Sequence, residues 1–345
     1  MTRIFTVYNC GTGFNRERTN ELIGNLGVIT RGMEARPGNL SPHDAWMIND
    51  GPGSVPASKK SGAKTPGKGL FKAARGTALG HGWEENVQET MDCIKFLHSA
   101  HPIHIVNTAG WSRGAVTCHM LANALRKDSV TQNIAVNIFA VDPVAGPLNR
   151  SAPNKNSVPD NVANYMGIVS EDENRKIMKP VNVYSLRTSA EEIGTGFTLV
   201  HIPGEHNTGV LKGTPAGKLV WFLAHKFLTG HGTVLDGALN LTPLQICELY
   251  GGIRYYMAAF RSMHGTAGKE LGTTARTIQN NFLNHHYWVN QHHLSNFVKA
   301  FPDVAKMITN PNLLANAGRF DQELHRIGTT APWTYTSMRK LGLMA

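Results

Sequence analysis

Cysteine is scarce in this chain. Its four cysteines, Cys10, Cys93, Cys118 and Cys247, are scattered with no Cys-x-x-Cys pair, which argues against a disulfide framework and a structural zinc site. Free thiols in a reducing compartment are the simplest expectation. Long apolar runs are missing too: no window approaches the roughly 18 apolar residues of a membrane span. The opening Met1-Thr2-Arg3-Ile4-Phe5 has no basic segment followed by an apolar stretch, so no signal peptide is expected and the protein should be soluble when made. Acidic residues number 24 against 34 Lys and Arg, a net charge of +10. That excess favours an anionic partner, either phospholipid headgroups or nucleic acid. No zinc finger, RNP-like aromatic strand or long basic helix supports nucleic acid, which is not expected as a partner. Hydrophobic residues make up 41% of the chain and charged ones 17%, the composition of a globular protein. The 345 residues suffice for one large α/β domain with an appendage, or for two ordinary domains.

What is present alternates strand and helix patterns. Ile4–Tyr8 is β-branched and aromatic and runs into the Gly-rich loop Asn9–Gly13, as a buried strand would. Residues 54–75 hold Lys59, Lys60, Lys64, Lys68, Lys72 and Arg75 with no acid, a basic surface loop. Val87, Met91, Ile94 and Leu97 put one apolar stripe on a helix over Trp83–Ala100. Ile103–Thr108 is the next strand and Ala115–Arg126 the next helix. Ile134–Val141 reads as an inner strand covered on both faces. Val181–Tyr184 and Thr198–Ile202 follow as strands, and Ala216–Leu228 as a helix. This order predicts an α/β-hydrolase-like three-layer sandwich with a mostly parallel sheet and right-handed crossovers. Residues 1–230 form that domain. Beyond about His231 the pattern is helical, over Leu244–Met263 and roughly Thr274–Ala300, giving a C-terminal region 231–345 of unassigned role.

The strongest local signal is Gly110-Trp111-Ser112-Arg113-Gly114, a G-x-S-x-G between a predicted strand and a predicted helix. Two glycines allow the sharp, strained turn that puts a serine hydroxyl at the carboxyl end of a sheet. The following helix offers its N-terminus, with the Arg113 N–H aimed at a developing oxyanion. A nucleophilic serine needs a base, and the base an orienting acid. His206 stands out among 16 histidines because it follows the last predicted strand on a loop. Asp142 closes the strand Ile134–Val141 and is the favoured acid, although it could also merely cap its turn. Glu191 and Glu192 are the alternatives, since the acid often follows a later strand.

Taken together, these segments resemble the catalytic domain of the type VI secretion phospholipase effectors. Tyr8-Asn9-Cys10-Gly11-Thr12-Gly13-Phe14-Asn15 is similar to that family's D-G-T-x-N loop, with Asn9 and Cys10 where its acid would stand. Asn49–Ser54 resembles D-G-V-G-T, and Gly80–Val87 its G-x-G-x-x-x-N-V helix entry. Gly110–Ala115 resembles G-F-S-R-G-A, Asp142-Pro143-Val144 resembles D-T-V, and Pro203-Gly204-Glu205-His206 resembles P-G-x-H. The family's Gly-rich stretch after the histidine is reduced here to Gly209 and Gly213. The resemblance covers residues 1–230. It implies a Ser112–Asp142–His206 triad, an oxyanion hole from Arg113 and the Gly11-Thr12-Gly13 loop, a phospholipid substrate, and no metal or organic cofactor. It further implies delivery from the bacterial cytoplasm into a target cell, with secretion-apparatus and immunity proteins as partners. Lys59, Lys60, Lys64 and Lys68 would then dock the enzyme on anionic membrane, unless they only keep a loop solvated. A non-lipid esterase or thioesterase, and a non-catalytic basic binding module, remain open alternatives.

Two segments imitate other sites. Gly62–Gly69 nearly spells a phosphate-binding loop, but Gly69 replaces the Mg²⁺-holding Ser or Thr and no strand precedes it. His285, His286, His292 and His293 fall in pairs seven residues apart, roughly 10 Å along a helix, too far for chelation.

Overall fold

The computed structural model describes residues 2–54, 82–146, 153–170, 196–202 and 206–242, with positions 173, 178, 180, 181, 245, 246 and 249. The chain forms two compact units. The first comprises Met1–Gly167, Lys179–Phe197 and Ala224–Ala238; the second comprises Ile168–Met178, Thr198–Leu223 and Leu239–Ala345.

The described residues form seven strands: β1 (Ile4–Asn9), β2 (Met33–Glu34), β3 (Asp44–Asn49), β4 (Ile105–Trp111), β5 (Ala135–Val141), β6 (Val162–Ser170) and β7 (Gly196–Ile202). They make one sheet in the order β2-β3-β1-β4-β5-β6-β7. The pairings from β2 through β5 are all parallel. The helices are α1 (Leu22–Ile29), α2 (Trp83–Ala100), α3 (Arg113–Lys127), α4 (Pro153–Asn156) and α5 (Pro215–Gly230). The fold is the α/β three-layer class that the alternating pattern predicts.

Alternation along the strands assigns the layers in the first unit. Thr108 of β4 reaches Cys118 of α3, and Asn49 of β3 reaches Thr90 of α2, so α2 and α3 cover one face. On the other face Tyr8 meets Thr30 after α1, Phe139 meets Phe227 of α5, and Asn107 donates to the His231 carbonyl. That second face carries an amide ladder. Asn164 donates to Asn137, and Asn137 to Asn107, at 2.8 Å each. Asn107 continues to Thr233, which meets Thr6. Asn107 and Asn137 are partners in the β4–β5 register. Polar side chains on this face of the sheet are thus satisfied by one another.

The helix expected over Trp83–Ala100 forms with those bounds. β4 extends through Trp111 and α3 begins at Arg113, so strand and helix close to within one residue of each other. The sequence pattern does not predict α1, whose Gly24 and Gly27 are weak helix formers. Close packing explains them: a Cβ on Gly24 would lie 2.5 Å from the Arg18 carbonyl oxygen, and one on Gly27 3.1 Å from Ile48. β3 and β6 were also unforeseen. A strand was expected instead at Val181–Tyr184, but Val181 lies outside any strand and donates to the Pro143 carbonyl at 2.7 Å. Residues 182–184 and both C-terminal helical segments lie outside the described residues. Cys10, Cys93 and Cys118 are free and buried. No described helix is long and apolar enough to cross a membrane.

Candidate active site

β4, at the centre of the sheet, ends at Trp111, and α3 starts two residues later. Ser112 makes the turn with φ 58° and ψ −121°. Its N–H donates to Val141 O at 2.9 Å, and its carbonyl accepts from Val144 N–H at 3.2 Å. Among the described residues only Ser112 and Asp142 (φ 43°) combine a side chain with positive φ. Such backbone costs about 1–3 kcal/mol per residue and persists where the surroundings over-determine it. They do so here. A Cβ on Gly110 would lie 2.3 Å from Gly114 O, and one on Gly114 2.0 Å from Asn9 O, so both glycines of the motif are required by backbone contact.

The other motif segments close around this turn. A Cβ on Gly11 would strike the Trp111 ring at 2.3 Å, and one on Gly51 would lie 1.7 Å from Gly11 O. Cys10 N–H donates to Asn49 O, and Gly51 N–H to Phe14 O. Phe14 stands edge-on to Trp111 at 4.7 Å. From α2, the Asn86 amide holds Asp50 O at 2.9 Å. Segments far apart in sequence therefore meet at one end of the sheet, the crevice side of parallel α/β sheets. Asn9 serves as a cross-link there, donating to Thr108 and Cys118 and accepting from Asn49. Burial pushes the Cys10 thiol well above its usual range, helped by Glu21 and Asp50, which makes it inert as a nucleophile.

Asp142 lies immediately after β5 and is wholly buried. Ser112 is itself only 5% exposed, more enclosed than an elbow serine is expected to be. Arg113 is the first residue of α3, so its N–H has no intrahelical acceptor. Among the described residues the N–H groups of Gly11 and Thr12 donate to no acceptor. Gly13 is a correction: its N–H donates to Pro52 O at 3.2 Å and is taken up by the loop itself.

The Arg113 side chain crosses to the first loop, where Nη1 donates to Thr12 Oγ1 at 2.9 Å. Its guanidinium carbon stands 5.9 Å from the centroid of the buried Trp83 ring, and Lys155 Nζ stands 4.3 Å from that centroid. Lys155 pairs with the exposed Glu84 at 3.4 Å. Burial draws Arg113 below its usual range, and among the described residues no carboxylate acts to raise it. Arg113 Nε and Trp83 Nε1 are buried without a hydrogen-bond partner.

His206 lies in the second unit and is buried. Its backbone N–H donates to Glu173 Oε2 at 3.1 Å, and Glu173 is also buried. Glu173, three residues past β6, was not anticipated because β6 itself was not. Glu191, Glu192, Lys59, Lys60, Lys64, Lys68 and the Pro203-Gly204-Glu205 segment lie outside the described residues, as do both imitating segments. Among the described residues no cluster of His, Cys, Asp and Glu is arranged to hold a metal.

No family model matches the chain, and no curated protein matches it. Three solved structures match the chain at low identity. An uncharacterized protein from Pseudomonas aeruginosa is 13% identical with a TM-score of 0.44, over 99% of this chain and 64% of that one. A gene product from Listeria innocua is 12% identical with a TM-score of 0.40, over 68% of this chain and 97% of its own. A protein of unknown function from Agrobacterium tumefaciens is 18% identical with a TM-score of 0.32, over 59% and 83%. The chain thus spans under two thirds of the length of the Pseudomonas protein.

Proposed function

We propose that this chain is a serine hydrolase that cleaves carboxylic esters of lipids through an acyl-serine intermediate. The observation that carries this reading is the strained backbone of Ser112, held between Gly110 and Gly114 at the end of the central strand. A turn that merely joined β4 to α3 would have no need of a serine in that conformation.

In this mechanism Ser112 Oγ bonds to the ester carbonyl carbon as its proton passes to His206. The resulting oxyanion is stabilised by the N–H groups of Arg113, Gly11 and Thr12. Collapse expels the alcohol, which takes the proton from His206, and water then releases the acid by the same steps. Asp142 is the acid that orients His206. Glu173, whose carboxylate already accepts from the His206 backbone, is its rival. The net charge of +10 and the basic segment with Lys59, Lys60, Lys64 and Lys68 favour substrates at an anionic membrane. Delivery into a target cell, with a secretion apparatus and an immunity protein as partners, extends the proposal along the sequence resemblance.

A fluorophosphonate probe tests the chemistry, because it labels only an activated serine. Wild type should be labelled and Ser112→Ala should not; an unlabelled wild type ends the esterase reading. Fatty-acid release from liposomes, set against hydrolysis of p-nitrophenyl butyrate, tests the substrate class. Turnover of the soluble ester alone would replace the lipid with a non-lipid ester.

A further inference from the structure

A guanidinium partly withdrawn from water, with a buried N–H and no carboxylate among the described residues, is costly to keep, so its environment indicates what it is for. Arg113 is such a group. Nη1 is used by Thr12, which fixes the plane of the fork. The opposite edge, Nε and Nη2, is the pair of parallel donors that grips an oxyanion side-on. Nε is buried without a partner, and Nη2 donates to no described residue. Gly146 lies over this edge: a Cβ there would come 3.0 Å from Nη2 and 3.6 Å from Nε. Any side chain but hydrogen would crowd the two donors. Trp83, against which the guanidinium lies, contributes a second buried N–H without a partner. Lys155 over the same ring adds positive charge and pairs with the exposed Glu84. Thr12 and Arg113 also flank the candidate oxyanion hole, so the cluster adjoins the reacting serine along the chain.

We propose that the Nε–Nη2 edge of Arg113, backed by Trp83 and Lys155, is a subsite for an oxyanion of the phosphate or carboxylate class carried by the ester substrate. The enzyme would then prefer esters whose alcohol part bears such a group. The link to catalysis rests on the esterase reading above; the anion site itself does not.

The test compares 1-hexanoylglycerol 3-phosphate with 1-hexanoylglycerol, which share the scissile ester and differ in the anion. Wild type should favour the phosphate-bearing ester by about 10- to 100-fold in kcat/KM, the discrimination of one good bidentate pair. In Arg113→Gln and Arg113→Lys that ratio should fall at least about tenfold, since lysine keeps the charge but loses the fork. Any loss common to both esters cancels in the ratio. Binding of inorganic phosphate, followed by calorimetry on wild type and Arg113→Lys, supplies a readout that needs no turnover. Competitive inhibition by phosphate would assign the subsite to the substrate's own anion, and non-competitive inhibition to a free ion, which would overturn the substrate assignment. Phosphate binding that depends on Arg113, with neither ester cleaved, would keep the anion site and remove the esterase. Equal cleavage of both esters by wild type, without phosphate binding, would keep the esterase and overturn this subsite.

Discussion

Across the sheet, Asn164, Asn137 and Asn107 pass hydrogen bonds from one to the next until Thr233 and Thr6 close the series. At the carboxyl end of the same sheet, Arg113 and Trp83 keep buried donors without acceptors. Asn107, Asn137, the Arg113 Nε and the Trp83 Nε1 are all buried, and both sets belong to the first unit. The ladder shows that this core can satisfy its polar groups when stability is all that is asked of it. The cluster beside Ser112 does not, and a native protein seldom leaves such donors alone without a use for them. The difference separates side chains that hold the sheet together from side chains kept ready for a ligand.

The comparison breaks most sharply at Ser112. Ser112→Ala should lower ester turnover by roughly 10³-fold or more, because a triad acts as a unit, while Tm changes little. His206→Ala should cost as much, and the double variant hardly more. Additive losses would give His206 a separate task. The same assay chooses the acid: Asp142→Asn is expected to be severe, and a larger loss in Glu173→Gln, Glu191→Gln or Glu192→Gln would move the role. A folded Ser112→Ala that kept near-wild-type turnover would leave the strained turn with no catalytic meaning.

Changing the ladder should do the reverse. Asn137→Leu strips the acceptor from Asn164 and the donor from Asn107. The buried Asn107 oxygen left without its donor costs about 1–3 kcal/mol and the half-buried Asn164 amide less, so the loss should be plain in urea unfolding. Preference between the phosphate-bearing and neutral esters should not change. A variant as stable as wild type would mean that the ladder carries no weight in the fold.

Much of this was legible in the sequence, and the failures share a cause. The helix Trp83–Ala100 was readable because its apolar stripe repeats at helical spacing. The elbow was readable because Gly110, Ser112 and Gly114 meet a steric demand that only those positions can satisfy. β6 was not, because Val162–Ser170 interrupts its apolar residues with Asn164 and Gly167, and Asn164 belongs there only through its partner on β5. α1 was hidden by Gly24 and Gly27, whose reasons lie in Arg18 and Ile48. Glu173 disappeared with β6. Arg113 was visible as an oxyanion N–H, but its side chain acquires meaning only beside Trp83, Thr12 and Gly146. Local periodicity and turn chemistry can be read from the chain; partners across the sheet cannot.

The smallest effect concerns a third kind of buried polar group, one that is paired and costly all the same. Glu21 is fully buried and caps α1, accepting from Ile23 N–H at 3.1 Å and Gly24 N–H at 3.2 Å. Burial raises its carboxyl to about 7 from 4.5, against the lowering effect of those two bonds and of Arg18. The folded chain therefore holds this proton more tightly than the unfolded chain does. Below about pH 4.5 both states are protonated and the group adds no pH dependence. Between about pH 4.5 and 7 the unfolded chain releases the proton first, so folding stability falls as pH rises. Above about 7 both are ionised and the loss is complete, at most about 3 kcal/mol for a shift of this size. Glu21→Gln cannot ionise, although it gives up one of the two capping oxygens. Thermal unfolding at pH 5.0 and 7.5 should show wild type losing several degrees more than the variant over that interval. Parallel pH profiles would mean that Glu21 keeps its charge at little cost, and that two backbone N–H groups suffice to hold a buried carboxylate here.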